Sequence, residues 1–306
     1  AVLFEKAGLQ IIARGDPCVL LGLGCALLPH EAVGGRPGET DLAALLDDDV
    51  AEDELAGRLE MLEVDREFRV LSATHPAGLP TPRPLALCED DSVIGSAFYV
   101  MDCVDGRILW DPALPGMTAA ERAAHYDEMN RVIAALHRID PAAVGLADYG
   151  KPGHYIERQV ARWTLQYRAA ETERIEAADA LIDWLPRHVP PEREARIVHG
   201  DYRLDNVIVH PTEPRILAVL DWELSTLGDP LADFAYHCMR WHLAPPQGLA
   251  GADLAALGIP SEAEYLRRYL ERVGAALTNA NDILRALGQS TLAASVSGGQ
   301  AAVALA

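Results

Sequence analysis

Residues 197–210 read IVHGDYRLDNVIVH. Two short apolar runs, Ile197-Val198 and Val207-Ile208-Val209, flank a polar loop carrying His199, Asp201, Arg203, Asp205 and Asn206. Polar groups concentrated in a loop between buried strands are a usual seat of chemistry, because the strands hold the loop rigid. A third apolar run, Ile216 to Leu220, follows closely enough to pair with Val207–Val209 as a hairpin, and it ends in Asp221-Trp222-Glu223. That pairing would set Asp221 beside Asn206.

Asparagine plus aspartate offers two hard oxygen ligands, a pair suited to Mg²⁺ with phosphate oxygens at other positions. Asp201 would then stand nearby as an unbound carboxylate, able to orient a hydroxyl and accept its proton during phosphoryl transfer. An aspartate, an asparagine five residues on, and a metal aspartate after a strand is the spacing of kinase catalytic machinery. A His-Gly-Asp turn alone carries no such meaning; the trio does. His199 itself is expected to pack the loop.

The bulk numbers bound the reading. With 306 residues, 50% of them hydrophobic, the chain can bury a sizeable core in one large domain or two lobes. A formal net charge of −20 argues against nucleic acid and anionic membrane as partners. The cysteines, Cys18, Cys25, Cys88, Cys103 and Cys238, are odd in number and lack CxxC spacing. A disulfide framework or zinc ribbon is therefore not expected, and a reducing, cytoplasmic compartment is. No apolar run reaches the length of a membrane span. The run CVLLGLGCALL, Cys18 to Leu28, follows Asp16-Pro17 and precedes no good small-x-small cleavage site, so it reads as a buried strand or short helix rather than a signal core.

Working outward, Asp41 to Asp65 is acidic with helical spacing, and DREFRVLSA reads as a helix end. PTPRPLALCED and SAFYVMDCVDG read as two strands. Thr118-Ala-Ala-Glu121 is a capping box opening a helix with Tyr126, Met129, Ile133 and Leu136 on one face. A second helix carries Ile156, Val160, Trp163 and Tyr167, the aromatics being expected in the core; a third covers roughly Ile175 to Leu185. Helices from about Asp229 to His242 and from Ser261 to about Val273 follow, with a loose tail beyond. An apolar strand ending in Asp-x-Glu also resembles the start of an aspartate-nucleophile phosphatase. That chemistry needs a second acidic Asp and a downstream lysine, whereas position 223 is Glu and no lysine follows Lys151.

HGDYRLDN followed by LDWELSTLGDPLADFA resembles the aminoglycoside phosphotransferase and choline kinase superfamily, most closely the branch related to kinase domains fused to acyl-CoA dehydrogenases. The similar text runs from about Asp65 to Val273. The resemblance implies an α+β, protein-kinase-like bilobal fold, with an N-terminal lobe over 1–104 and a mainly helical catalytic lobe over 105–306. It implies Asp201 as catalytic base, Asn206 and Asp221 on Mg²⁺, and Glu223 as a further metal or supporting contact. Met101, Cys103 and Val104 would form the hinge that holds the adenine of ATP, Asp233 would brace the catalytic loop, and Glu67 matches the helix glutamate that pairs with the nucleotide lysine. The pattern departs at that lysine. The only lysines are Lys6, sixty-one residues before Glu67 without a glycine loop ahead of it, and Lys151; the GLG at 22–24 is followed by no Val-x-Lys strand, and Arg58 sits on what reads as a helix. The first 64 residues are therefore atypical, and the N-terminal lobe reads as diverged or incomplete. The implied activity is transfer of the γ-phosphoryl of MgATP to a hydroxyl of a small molecule, a hydroxyacyl-CoA being the acceptor that this branch points to, with a link to acyl-CoA metabolism. The competing expectation is an inactive pseudokinase or truncated homologue that binds a ligand or partner.

Overall fold

The computed structural model describes the backbone of Val2–Lys6, Leu9–Ala13 and Ala26–Leu27, and residues 64–90, 92–93 and 96–274. The helix expected over Asp41 to Asp65 (its last two residues apart), the glycines at 22–24, Arg58 and the tail from 275 lie outside the described residues. The chain divides into two compact units: Ala1–Ser72 with Arg83–Cys103 and Glu157–Val189, and Ala73–Pro82 with Val104–Ile156 and Pro190–Ala306.

The first unit is built on an antiparallel sheet of five strands, β1 (Val2–Lys6), β2 (Leu9–Ala13), β3 (Ala26–Leu27), β4 (Pro84–Cys88) and β5 (Phe98–Asp102), in the order β3-β1-β2-β5-β4. The register of β2 on β5 runs from Leu9↔Asp102 to Ala13↔Phe98. Strands β1 and β2 were not anticipated from the sequence. Along β5, Tyr99 and Met101 are buried while their neighbours are partly exposed, the period of two that a half-buried strand imposes. The ladder between β4 and β5 slips between Pro84 and Ala86, where proline has no N–H to give. Residues 64–74 are helical (α1), and Val64, Glu67, Val70 and Leu71 are buried at helical spacing. Helix α3 (Tyr155–Ala170) and α4 (Glu176–Trp184) contain no buried residue. The spacing of Ile156, Val160, Trp163 and Tyr167 does mark one helix face, but Trp163 is 57% exposed rather than in the core. Periodicity defines a face; only tertiary packing supplies something for it to face.

The second unit centres on α2 (Ala119–Arg138), opened by the reciprocal Thr118–Glu121 capping box. Its Tyr126, Met129, Ile133 and Leu136 are all buried, as the spacing predicts. Helix α7 (Glu262–Val273) packs against it, with Asn130 Nδ2 donating to the Tyr265 carbonyl at 2.8 Å. Two small antiparallel pairs complete the unit: β6 (Arg196–Val198) with β9 (Thr226–Gly228), and β7 (Val207–Val209) with β8 (Ile216–Val219). Strand β9 was not anticipated from the sequence. Helix α5 (Pro230–Cys238) starts at Asp229, whose carboxylate accepts the Leu231 N–H at 2.8 Å. A four-residue helix, α6 (Leu254–Leu257), precedes α7. No helix among the described residues is long and apolar enough to cross a membrane.

The core of this unit is aromatic. Phe234 stacks on Tyr269 at 3.9 Å between ring centroids and lies 5.6 Å from Tyr265. His237 is buried among these rings, Nδ1 donating to the Tyr202 carbonyl and Nε2 accepting from the Tyr265 hydroxyl. Burial first, then the charge of Arg240, push its pKa down to about 3, so it stays neutral. Phe234 is only 2% exposed and carries two stacking contacts. Phe234→Ala is expected to lower the unfolding free energy by about 3–5 kcal/mol in urea titrations followed by tryptophan fluorescence.

Candidate active site

The loop between β6 and β7 is shaped by one buried carboxylate. Asp233, on the first turn of α5 and 3% exposed, accepts the His199 N–H at 2.8 Å on Oδ2 and the Gly200 N–H at 2.9 Å on Oδ1. His137 of α2 donates from Nε2 to the same Oδ2 at 3.0 Å, with the Tyr269 hydroxyl against its Nδ1. Burial alone would raise the Asp233 pKa. The hydrogen bond and charge of His137, with the groups of His199, outweigh burial and hold it below the ordinary carboxylate value. Gly200 sits at φ +85°, and a Cβ there would meet the Leu224 carbonyl oxygen at 2.8 Å, so the turn admits only glycine without rearrangement.

His199 ties this loop to the neighbouring hairpin. Its Nε2 donates to the Leu220 carbonyl at 2.9 Å, and its Nδ1 accepts the Asp201 N–H at 3.2 Å. The ring is fully buried, and that burial depresses its pKa despite the nearby Asp233. It is a neutral structural imidazole, as the sequence reading expected.

Asp201 lies at the open end of the arrangement, its side chain 18% exposed. One oxygen, Oδ2, accepts Asn206 Nδ2 at 3.0 Å; the same amide nitrogen also reaches the Asp201 carbonyl at 2.9 Å. The other, Oδ1, accepts the Tyr236 hydroxyl at 2.7 Å and faces Arg203 Nε at 3.3 Å. Arg203 is also engaged by Asp205 Oδ2 at 2.7 Å, so its charge is shared between two carboxylates.

The two apolar runs pair as the expected hairpin. Val207 pairs with Val219, and the Leu220 N–H donates to the Asn206 carbonyl at 2.9 Å, which sets Asp221 one residue beyond the partner of Asn206. Asp221 is exposed and adopts φ +64°, a left-handed conformation uncommon outside glycine that aspartate tolerates better than most. Buried Trp222 anchors the turn through its indole N–H to the Val219 carbonyl at 3.0 Å. Glu223 follows, exposed. The Asn206 amide nitrogen is engaged by two Asp201 oxygens, so its Oδ1 is the atom it can offer a ligand. No group of three or more His, Cys, Asp or Glu among the described residues is placed to hold a metal ion. The donors here, an amide oxygen and a carboxylate, suit Mg²⁺, which takes one or two protein oxygens and fills its octahedron with water and phosphate.

Asp201, Asn206, Asp221 and Glu223 all lie in the second unit, with Asp201 hydrogen-bonded to Asn206 and Asp221 following the residue that pairs with Asn206. Glu67, Met101 and Cys103 belong to the first, and the chain passes from one to the other at Cys103-Val104. Glu67 is buried, not a solvated helix charge, and accepts the Tyr99 hydroxyl at 3.0 Å. Met101 is buried on β5; Cys103 and Val104 are partly exposed. Lys6 closes β1. Sequence reasoning missed Tyr236. The signal was present: Tyr236 stands three residues after Asp233 on one helix, so the two share a face.

A polar loop fixed by a buried helix carboxylate, a paired Asp and Asn, and a following hairpin aspartate define a kinase-like phosphotransferase fold. The comparisons agree. Residues 53–272 match the model of the phosphotransferase enzyme family, APH, and the chain belongs to that family. It is 49% identical over 215 residues to acyl-CoA dehydrogenase family member 10 of Mus musculus and 42% identical over 210 residues to family member 11 of Homo sapiens. Those matches cover 69% and 68% of this chain but only 20% and 27% of the relatives' lengths. Among solved structures it is similar to a Ralstonia eutropha protein described as an aminoglycoside phosphotransferase, with 60% identity and a TM-score of 0.66 over 69% of this chain and 65% of that one.

Two outcomes follow from the buried carboxylate and histidines. Asp233→Ala leaves two backbone N–H groups and His137 without their acceptor, and is expected to cost about 3–5 kcal/mol of stability by denaturant titration. His199 and His237 have native pKa values below their unfolded value of 6.5. The unfolded chain therefore binds more protons as pH falls below 6.5, and the stability contributed by these rings, complete above that pH, is lost progressively, down to about 3 for His237. The expected slope is about 1.4 kcal/mol per pH unit for each ring, read from urea midpoints between neutral and mildly acidic pH.

Proposed function

We propose that the chain is an ATP-dependent phosphotransferase that moves a phosphoryl group to a hydroxyl of a small molecule. One observation carries this reading: Asp201 has one carboxylate oxygen locked by Asn206 and the other already accepting a hydroxyl, that of Tyr236, at 2.7 Å. That is the geometry a general base needs. In the proposed reaction the acceptor oxygen attacks the γ-phosphorus of ATP. The bond from that phosphorus to the β,γ-bridging oxygen breaks, ADP leaves, and the acceptor's proton passes to Asp201 Oδ1 and then to solvent. Asn206 holds the carboxylate so that Oδ1 keeps its aim, while Asp233 fixes the loop backbone on which both depend. Asn206 Oδ1 and Asp221, with Glu223 in support, would hold Mg²⁺, which would supply neutralisation of the charge that develops on the phosphate oxygens. Met101, Cys103 and Val104 are proposed to receive the adenine and Glu67 to serve the nucleotide side.

A hydroxyacyl-CoA is the proposed acceptor. Its support is the sequence identity to proteins named as acyl-CoA dehydrogenase family members. A cytoplasmic setting is proposed from the cysteine pattern. The alternative, a homologue that binds ligand without transfer, is favoured by the lack of any lysine between Lys6 and Lys151. The retained Asp201, Asn206 and Asp221 oppose it.

Asp201→Asn separates the two readings. The expected outcome is a fall of about 10²–10⁴-fold in ADP release with hydroxyacyl-CoA thioesters as acceptors, while MgATP still raises the melting midpoint by mass action. Loss of that thermal shift, or a native chain that releases no ADP with any thioester, favours the non-catalytic reading.

A further inference from the structure

The Tyr236 hydroxyl stands where the mechanism needs a substrate. It donates to Asp201 Oδ1 at 2.7 Å, the preferred length for an O–H···O bond, and a charged acceptor roughly doubles the strength of such a bond. The other oxygen is taken by Asn206 Nδ2, so Oδ1 is the position at which an acceptor hydroxyl can engage the base. Tyr236 is not a buried packing residue: it is 36% exposed on α5, at the edge of the site. Helix α5 is itself fixed, by the Asp229 cap at its start and by Asp233 within it.

We propose that Tyr236 is a water guard on the base, its phenol filling the acceptor seat at Asp201 Oδ1 until a substrate hydroxyl displaces it. The proposal rests on Asp201 being the general base. Its physical logic is a competition between hydroxyls. The phenol is tethered, so its local concentration at Oδ1 is high at small entropic cost. A water molecule has no other contact with which to displace it. An acceptor does, because the rest of its body supplies binding energy that can be used at the reacting end. The ring also stays protonated: burial and the adjacent Asp201 carboxylate push its pKa up to about 12, which disfavours the phenolate and keeps Tyr236 a donor rather than a nucleophile.

Removing the guard opens a defined side reaction. Water at Oδ1 attacks the γ-phosphorus of ATP, the bond to the β,γ-bridging oxygen breaks, and the water proton passes through Asp201 to solvent. ADP and inorganic phosphate are the products. The test is acceptor-free ADP release from MgATP by the full chain in four forms: native, Tyr236→Phe, Asp201→Asn and the double variant. Phe keeps the ring and removes only the hydroxyl, and overlaying melts establish that the fold is retained. The expected result is a rise of about tenfold in Tyr236→Phe, below the 10²–10⁴-fold that a positioned base contributes, and its disappearance in the double variant. A structural defect lowers turnover; it does not create hydrolysis. Release from Tyr236→Phe no faster than from the native chain overturns the guard while leaving Asp201 as base untouched. A rise that persists in the double variant overturns the guard and counts against Asp201 as well. Phosphotyrosine at position 236 in native chain incubated with MgATP, found by mass spectrometry, also overturns it, since the phenol would then be an acceptor.

Discussion

Everything at the site depends on the Asp233 carboxylate. It is buried, ionised and shared among two consecutive backbone N–H groups and the ring of His137. A carboxylate that lost these donors would be a bare charge in an apolar surround, and the donors that lost it would be orphaned polar groups; each side enforces the other. The result is a loop whose backbone is bound to a helix start, with Gly200 at a positive φ and Leu224 packed where a Cβ would stand. His199 carries that rigidity across to Leu220 and so to the hairpin that bears Asp221. Loop, helix and hairpin are therefore positioned by three hydrogen-bonded groups rather than by the loop's own preferences.

Helix α5 acts twice. Its first turn supplies Asp233 to the loop backbone, and one turn later it supplies Tyr236 to the Asp201 carboxylate. A single rigid element thus sets both the position of Asp201 and what its Oδ1 meets. The aromatic packing of Phe234 and His237 against Tyr265 and Tyr269 keeps that helix in place. The neutrality of His237 belongs to the same design: a charged ring would have to be desolvated beside Arg240.

The charge balance also shapes the chemistry. The chain carries a formal −20, yet its proposed co-substrate is a polyanion. Arg203 is divided between Asp201 and Asp205. Its role in this geometry is to steady a pair of carboxylates. In the proposed reaction a divalent cation on Asn206 and Asp221 would add positive charge to this loop and hairpin.

The sequence alone determined the hairpin, the placing of the candidate trio Asp201, Asn206 and Asp221 along it, and the main helices. Strands β7 and β8 are short apolar runs at hairpin distance, the trio lies in and beside them, and a register of two residues per repeat leaves little freedom in where Asp221 falls. The capping box and the buried face of α2 were legible for the same reason: they are local, and local rules write them. What the sequence could not determine were relations between distant segments. The burial of Glu67 under Tyr99, the exposure of Trp163 on a face patterned like a core helix, and strands β1, β2 and β9 all depend on which partner arrives from elsewhere in the chain. Tyr236 is the instructive case. Its spacing from Asp233 placed it on the right side of α5, but only the folding of α5 against the loop, thirty-five residues away, put its hydroxyl on Asp201. Hydrogen bonds between elements are specified by tertiary packing, and a linear pattern records only the candidates.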